Sequence, residues 1–396
     1  MPKLRTSPDM ISVIIVSIIV IVLMFIPTGF PTNQHSDSVR AAGLVIDTND
    51  AMMYSAGMIR LGDQVCKLEI LNGPYKGQIV EGTNRLMGKM EIDKVFQRGD
   101  KALVVLETEG DTIRYVNVID HYRIQVEMIL FGAFLALLIW FAGWTGAKAM
   151  LSFVLTILTI WKILIPFLLK GWNPIILSMF AVVILTIVII TLVGGFNRKS
   201  LAAISGSLAG TVLTCAMAII FGKYFRIHGA IMPFSETLLY AGYEYLNLTD
   251  IFIAATFIGS SGALMDIAID IAAALDELVQ KNPDLSRNEV IKSGFNIGRA
   301  VIGTMTTTLL LAYSGGYIAL LMIFMAQGTP VANILNLKYV SAEILHTMVG
   351  SFGLVTVAPF TAIIAGVLFT APRVESQFAK GIKRDEVQET RTSFEV

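Results

Sequence analysis

The chain has 396 residues, 55% of them hydrophobic and 15% charged, with 30 acidic and 30 basic residues, so the formal net charge is zero. A soluble domain carries about 25% charge, so the composition excludes an ordinary soluble protein, and the lack of a net basic field argues against a nucleic-acid partner. Two cysteines, Cys66 and Cys215, provide neither a disulfide framework nor the spacing of a zinc site, and no cofactor or metal motif is present.

Residues 1–34 form the first expected element. A short polar start with Lys3 and Arg5 precedes the apolar run Met10–Ile26, and no A-x-A-like site follows. This pattern predicts an uncleaved signal anchor with its N-terminus in the cytoplasm. Residues 35–125 change character. Period-two runs at Ala42–Ile46, Val65–Leu71, Gln78–Gly82, Ala102–Thr108 and Thr112–Ile119 read as short strands, and Glu109-Gly110 reads as a hairpin turn. Five or six strands in so short a stretch predict a small β-barrel or OB-like domain outside the membrane. Its mixed charges and few aromatic residues suit a structural or partner-docking domain better than an oligonucleotide platform.

From Met128 onward apolar runs follow closely, at 128–147, 149–169, 174–195, 201–222, 251–275, 298–326 and 347–371. Each approaches or exceeds the ~20 residues that cross ~30 Å of hydrocarbon. The expected fold is therefore an all-α polytopic membrane protein of about eight transmembrane helices. A seven-helix core occupies residues 126–372, and a charged cytoplasmic tail occupies 373–396. The segments 223–248 and 327–346 read as outer interfacial connections. With the N-terminus inside, fourteen Lys and Arg residues, Lys148 among them, fall on cytoplasmic segments. Only four, Lys170, Lys223, Arg226 and Lys338, fall on short outer connections. That asymmetry predicts a bacterial inner-membrane protein with both termini cytoplasmic.

The densest chemistry lies in Thr256–Gly303. Asp266 and Asp270 fall inside an apolar span, four residues apart and therefore on one helix face. Counted from Asp250 they lie ~24 Å and ~30 Å along the helix. Ionisable groups in a membrane helix are costly and mark functional positions. Gly259, Gly262, Ala263, Ala273 and Ala274 extend the same stripe, and such small residues predict that it faces the helix bundle. In the next span Asn296, Arg299, Gly303 and Thr307 recur at helical spacing. An Asp270–Arg299 pair is expected, which would leave Asp266 as an ion- or proton-binding carboxylate. Secondary candidates are Lys162, either a counter-ion to Asp266 or a snorkelling side chain, and Glu343 with His346, three residues apart. No metal site is expected from these. Pro359 predicts a kink in the last span.

The runs GGFNRK (194–199), GALMDIAIDIAAALDEL (262–278), NPDLSR (282–287), SGFNIGR (293–299) and GTMTTTLLLAY (303–313), with NGPYKG (72–77) in the preceding domain, resemble the YibE/YibF-like family of bacterial membrane proteins. The resemblance implies an anchor, an outer domain and a permease-like core. It also implies a YibF-like partner that lacks the outer domain, beside the alternative of a homo-oligomer. It supplies no substrate, and Asp266, Asn296 and Arg299 match as motif residues only. No P-loop is present, so ATP hydrolysis by that route is not expected. Two carboxylates on one helix do not suit an intramembrane aspartyl protease, and no enzyme activity is expected. The expected function is a transporter or transport-complex subunit for a small solute or ion. The alternative is a non-transporting assembly or sensory subunit acting through the outer domain.

Overall fold

The structure is a computed structural model and describes residues 8–30, 38–110 and 112–370. Lys3, Arg5 and the charged tail lie outside the described residues. The chain divides into two compact units, one running Gly29–Phe141 and the other made of the chain before Gly29 and from Ala142 on.

The first unit is built on a closed five-stranded barrel of strand order β1-β2-β3-β5-β4. Its strands are β1 (Ser38–Ala56), β2 (Ile59–Ile70), β3 (Ile79–Met87), β4 (Lys101–Glu109) and β5 (Thr112–His121). All five period-two runs become strands, and Glu109 pairs with Thr112 across the expected hairpin. β1 is longer than its alternating run because two register shifts, between Val45 and Asp47 and between Asn49 and Met52, bend it. Its first residues pair with β4 and the rest of its length with β2, and β3 meets β5 in parallel at Thr83 and Asn117, which closes the barrel. Inward-facing Val45, Cys66, Leu68, Ile70, Val104, Leu106 and Val118 form the core, with Phe96 inserted from the β3–β4 connection. Gly82 has no side chain because the barrel has no room for one. A β-carbon there would stand 2.9 Å from both Val116 Cγ1 and Val118 Cγ2.

The second unit is helical. α1 spans Pro8–Phe25, and α2 spans Ile124–Leu169 with a kink at Gly143. The two spans expected at 128–147 and 149–169 are therefore not separated by a connection. Lys148 lies buried within the helix, and the only break in helical backbone is at Gly143 (φ 53°, ψ −127°). A glycine tolerates that conformation, so the sequence can turn there without a loop. α3 (Pro174–Gly194), α4 (Arg198–Phe225), α5 (Leu248–Lys281), α6 (Arg287–Ser314) and α7 (Lys338–Thr370) follow. Among the described residues six helices are long and apolar enough to cross a membrane, counting α6 with its continuation to Ala326, and α1 supplies a shorter apolar helix. The expected number of about eight is not reached by this count, which takes the stretches on either side of Gly143 as one helix.

Local sequence sets the ends of these helices. Asn173, Asn197 and Asn247 accept the backbone N–H three residues on, and Pro174 begins α3 where its missing donor costs nothing. Ser286 and Glu289 form a reciprocal capping box that starts α6. The last helix begins at Lys338, so much of the connection expected at 327–346 is helical, and Pro359 is accommodated inside α7.

Small residues set how closely the helices pack. Gly206 of α4 lies against Thr361 of α7, Gly298 of α6 against Ala358, and Gly350 of α7 against Ser260 and Leu309. Close backbone approach of this kind gives dispersion contacts where no hydrophobic driving force separates protein from lipid. α5 sits in the centre of the unit. Its Phe257, Leu264, Ile267, Ala268, Ile271, Ala272 and Leu275 are fully buried.

Candidate functional site

The fully buried stripe of α5 determines where its aspartates go. Asp266 and Asp270 occupy the opposite face and are exposed from the packed unit, together with Gly259, Gly262 and Glu277. This corrects the expectation that the Asp–Gly stripe faces the bundle. Both faces of the helix have regular spacing, and the one bearing Leu, Ile and Phe buries more apolar area. Gly262, expected to seat a neighbouring helix, has no atom of another helix within 4 Å of the position its β-carbon would take.

Depth follows from the neighbours. Leu264 packs against Gly210 of α4 and Gly353 of α7. Counting from there at ~1.5 Å per residue, Asp266 stands ~15 Å from the Arg198 end of α4 and ~22 Å from the Thr370 end of α7. Asp270 lies one turn closer to both ends. The carboxylates therefore lie within the length of the flanking helices, on a face those helices leave uncovered.

The expected Asp270–Arg299 pair does not form. Arg299 and Asn296 are exposed on α6, and among the described residues neither Asp266, Asp270, Asn296 nor Arg299 has a hydrogen-bond or ion-pair partner. The reason lies in α6 itself. Gly294 and Gly298 turn its small-residue face onto Ala362 and Ala358, and this presents Arg299, Gly303, Thr304 and Thr307 on the outward side. Thr307 donates to the Thr304 carbonyl (3.0 Å) and Thr304 to the Val301 carbonyl (3.0 Å), so these hydroxyls are satisfied within their own helix.

Lys162 lies in a π-helical turn, Ile160–Leu164, and its Nζ donates to the Ile26 carbonyl at 2.9 Å. Its partner is therefore the end of α1 rather than Asp266. It places a cation on the C-terminal carbonyls of α1, where the helix dipole favours positive charge.

Glu343 and His346, the secondary candidates of the sequence, fall in the second and third turns of α7 and are joined there by Tyr313 and Tyr317, which the sequence did not suggest. The His346 ring stacks on Tyr313 of α6 (centroids 4.2 Å apart, 30° between planes), and the Glu343 carboxylate adjoins the Tyr317 hydroxyl. Glu343 Oε1 and His346 Nε2 are both buried without a hydrogen-bond partner. The available signal was the four-residue spacing of Tyr313 and Tyr317 at the end of the threonine-rich run, which puts both phenols on one side of the chain.

The barrel carries its own polar features. Gln64 and Asn84 are fully buried. Gln64 accepts the Phe96 N–H and donates to the Phe96 carbonyl, both at 2.9 Å, and Asn84 donates to Gln64 and to the Lys94 carbonyl. The two amides thus fasten the 94–96 segment that delivers Phe96 to the core. Beside it is an open cleft of about 380 Å³ lined by Arg85, Asp93, Lys94, Asp120 and Arg123. Asp93 accepts the N–H groups of Met87 and Lys89, the Met87 bond foremost, and these hold its carboxyl below the usual range. Asp120 is also held low. Partial burial pushes it up, but the ion pair with Arg123 (3.0 Å) and the His121 N–H outweigh that. Burial, followed by the charges of Asp50 and Asp100, pushes the Cys66 thiol up to about 11.

A five-stranded barrel joined to a unit of long apolar helices with polar groups on its uncovered faces defines the class: a membrane-type helical protein with a separate β-domain. The chain matches the family model for YibE/F-like protein over residues 130–371 and that for the YibE/F family N-terminal domain over residues 52–121, and it belongs to this family. No curated protein and no solved structure matches it.

Proposed function

We propose that the chain is the membrane-spanning part of a transport system for an ion or small solute, with Asp266 as the group that binds the ion or proton and Asp270, Asn296, Arg299 and Thr307 on the same polar surface. In this reading the protein sits in the bacterial inner membrane with both termini cytoplasmic and the barrel outside. A YibF-like chain or a second copy covers the open faces of α5 and α6. The observation that carries the reading is the position of Asp266. It is unpaired, lies within the length of the flanking helices, and takes no part in the apolar packing of α5. A carboxylate there is expensive against lipid, so a wet path or a polar partner must face it. The test is flux in proteoliposomes across a panel of ions and small solutes, with and without the YibF-like partner. Asp266→Asn should insert and fold normally yet abolish flux, and undiminished flux in that variant would end the reading.

The barrel cleft favours a second reading, a sensory or assembly subunit that acts through the first unit. Deleting residues 36–122 separates the two. A transport core retains flux, whereas a sensor loses its input.

A further inference from the structure

The Glu343–His346 cluster shares no residue with the Asp266 group, although it meets the same exposed face of α5 at Gly259. Tyr313 and His346 meet over Gly259, where a β-carbon would stand 3.1 Å from the Tyr313 hydroxyl and 3.2 Å from His346 Nε2. Gly259 lies on the exposed face of α5, so the two polar atoms converge just beneath an opening. Glu343 is one turn back along α7 from His346, on the same side, with the Tyr317 hydroxyl beside its carboxylate. Two polar atoms, Glu343 Oε1 and His346 Nε2, are buried without a hydrogen-bond partner beside the Tyr313 ring. Buried polar atoms in native structures almost always have a partner, and a specific exception calls for an occupant.

We propose that Glu343 and His346, framed by Tyr313 and Tyr317, form a proton-exchange site at the Gly259 end of the exposed face of α5. The occupant is a proton, carried as O–H on Glu343 or as N–H on His346. Neither atom is hydrogen-bonded as it stands, so transfer from one to the other needs a side-chain rotation that brings them together; it converts a carboxylic acid and a neutral imidazole into a carboxylate and an imidazolium, with no other bond changed. A metal ion fits less well, since no group of three or more His, Cys, Asp or Glu side chains converges anywhere among the described residues. The titratable groups on the surrounding elements are few. α6 and the turn after it bring Tyr313 and Tyr317, and α5 brings only Gly259 at this level. α4, whose Gly222 lies against Leu345, carries Lys223 and Arg226 exposed beyond that point. On α5, Asp266 follows Gly259 by seven residues on the same face, ~10 Å along the axis. The site therefore deepens the transport reading by adding a second protonatable station on one surface, but its existence does not require transport.

The test is an infrared pH titration of the full chain in lipid nanodiscs. The Glu343 carboxyl C=O band is assigned by its loss in Glu343→Gln. Glu343 and His346 lie one helical turn apart, so the charge on one shifts the titration of the other, and His346→Gln should move the midpoint of that band by about one pH unit. Gly259→Ala retains every ionisable group and places a methyl against both Tyr313 and His346. It should move the same midpoint, and it serves if His346→Gln fails to insert. A midpoint unmoved in both His346→Gln and Gly259→Ala overturns the proposal, whatever Asp266→Asn does to flux. A moved midpoint supports it even in a protein that carries nothing.

Discussion

Replacing Gln64 with methionine tests whether the buried amide clamp holds the barrel closed. Methionine keeps the length of the side chain and removes its donor and acceptor. The Phe96 N–H and carbonyl, each bonded to Gln64 at 2.9 Å, then lose their partners in a site from which water is excluded, while Asn84 keeps its bond to the Lys94 carbonyl and the exposed Asp50 exchanges its bond from Gln64 for water. An unsatisfied buried group costs about 1–3 kcal/mol, so the two together should cost about 2–4 kcal/mol after some relaxation of the 94–96 segment. That is a large share of the ~5–15 kcal/mol that stabilises a domain. Cys66 is a natural reporter, because it is fully buried in the barrel core and reacts only when the barrel opens. In a Cys215→Ser background of the full chain, thiol labelling of Cys66 should accelerate roughly 30- to 700-fold, since each 1.4 kcal/mol is a factor of ten. Gln97→Ala, one residue beyond Phe96 and exposed, should change the rate by no more than about twofold. Equal labelling rates for Gln64→Met and the control would refute the clamp.

The Cys66 thiol gives the barrel an alkaline limit. Its folded value of about 11 lies above the ordinary thiol value of 9.0. The unfolded chain therefore releases its proton first, and stability present below pH ~9 is lost as the pH rises towards ~11, by roughly 2–3 kcal/mol, a loss that chemical denaturation should not show in Cys66→Ala. Gly206→Ala would place a β-carbon 2.9 Å from the Thr361 Cα, forcing α4 and α7 apart at a cost of about 1–3 kcal/mol. Gly262→Ala, with nothing within 4 Å, should leave the detergent Tm nearly unchanged, and similar shifts for the two would contradict the packing described. Lys162→Met removes the donor to the Ile26 carbonyl and should raise hydrogen exchange in the last turn of α1, consistent with a loss of about 0.3–1 kcal/mol. Exchange unchanged in that turn would show that the contact contributes nothing.

The strands and helices of this chain are legible because each is dictated by local patterning. Alternation marks the five strands, and long apolar runs mark the membrane-type helices. The four-residue spacing of Asp266 and Asp270 puts them on one face of any helix that contains both. Patterning does not say which face of α5 the unit buries. Leu264, Ile267, Ile271 and Leu275 form one regular stripe and Gly259, Gly262, Asp266 and Asp270 another, and only the competition for α4 and α7 chooses between them. The same competition turns Arg299 outward and leaves it without Asp270. Composition also does not show that the chain passes through Gly143 without a loop, because a glycine's positive φ carries no signal in hydropathy. The meeting of Tyr313, His346 and Glu343 is least visible of all. It joins residues thirty or more positions apart on two helices, and contacts between helices depend on how their packed faces fit rather than on any periodicity along one of them.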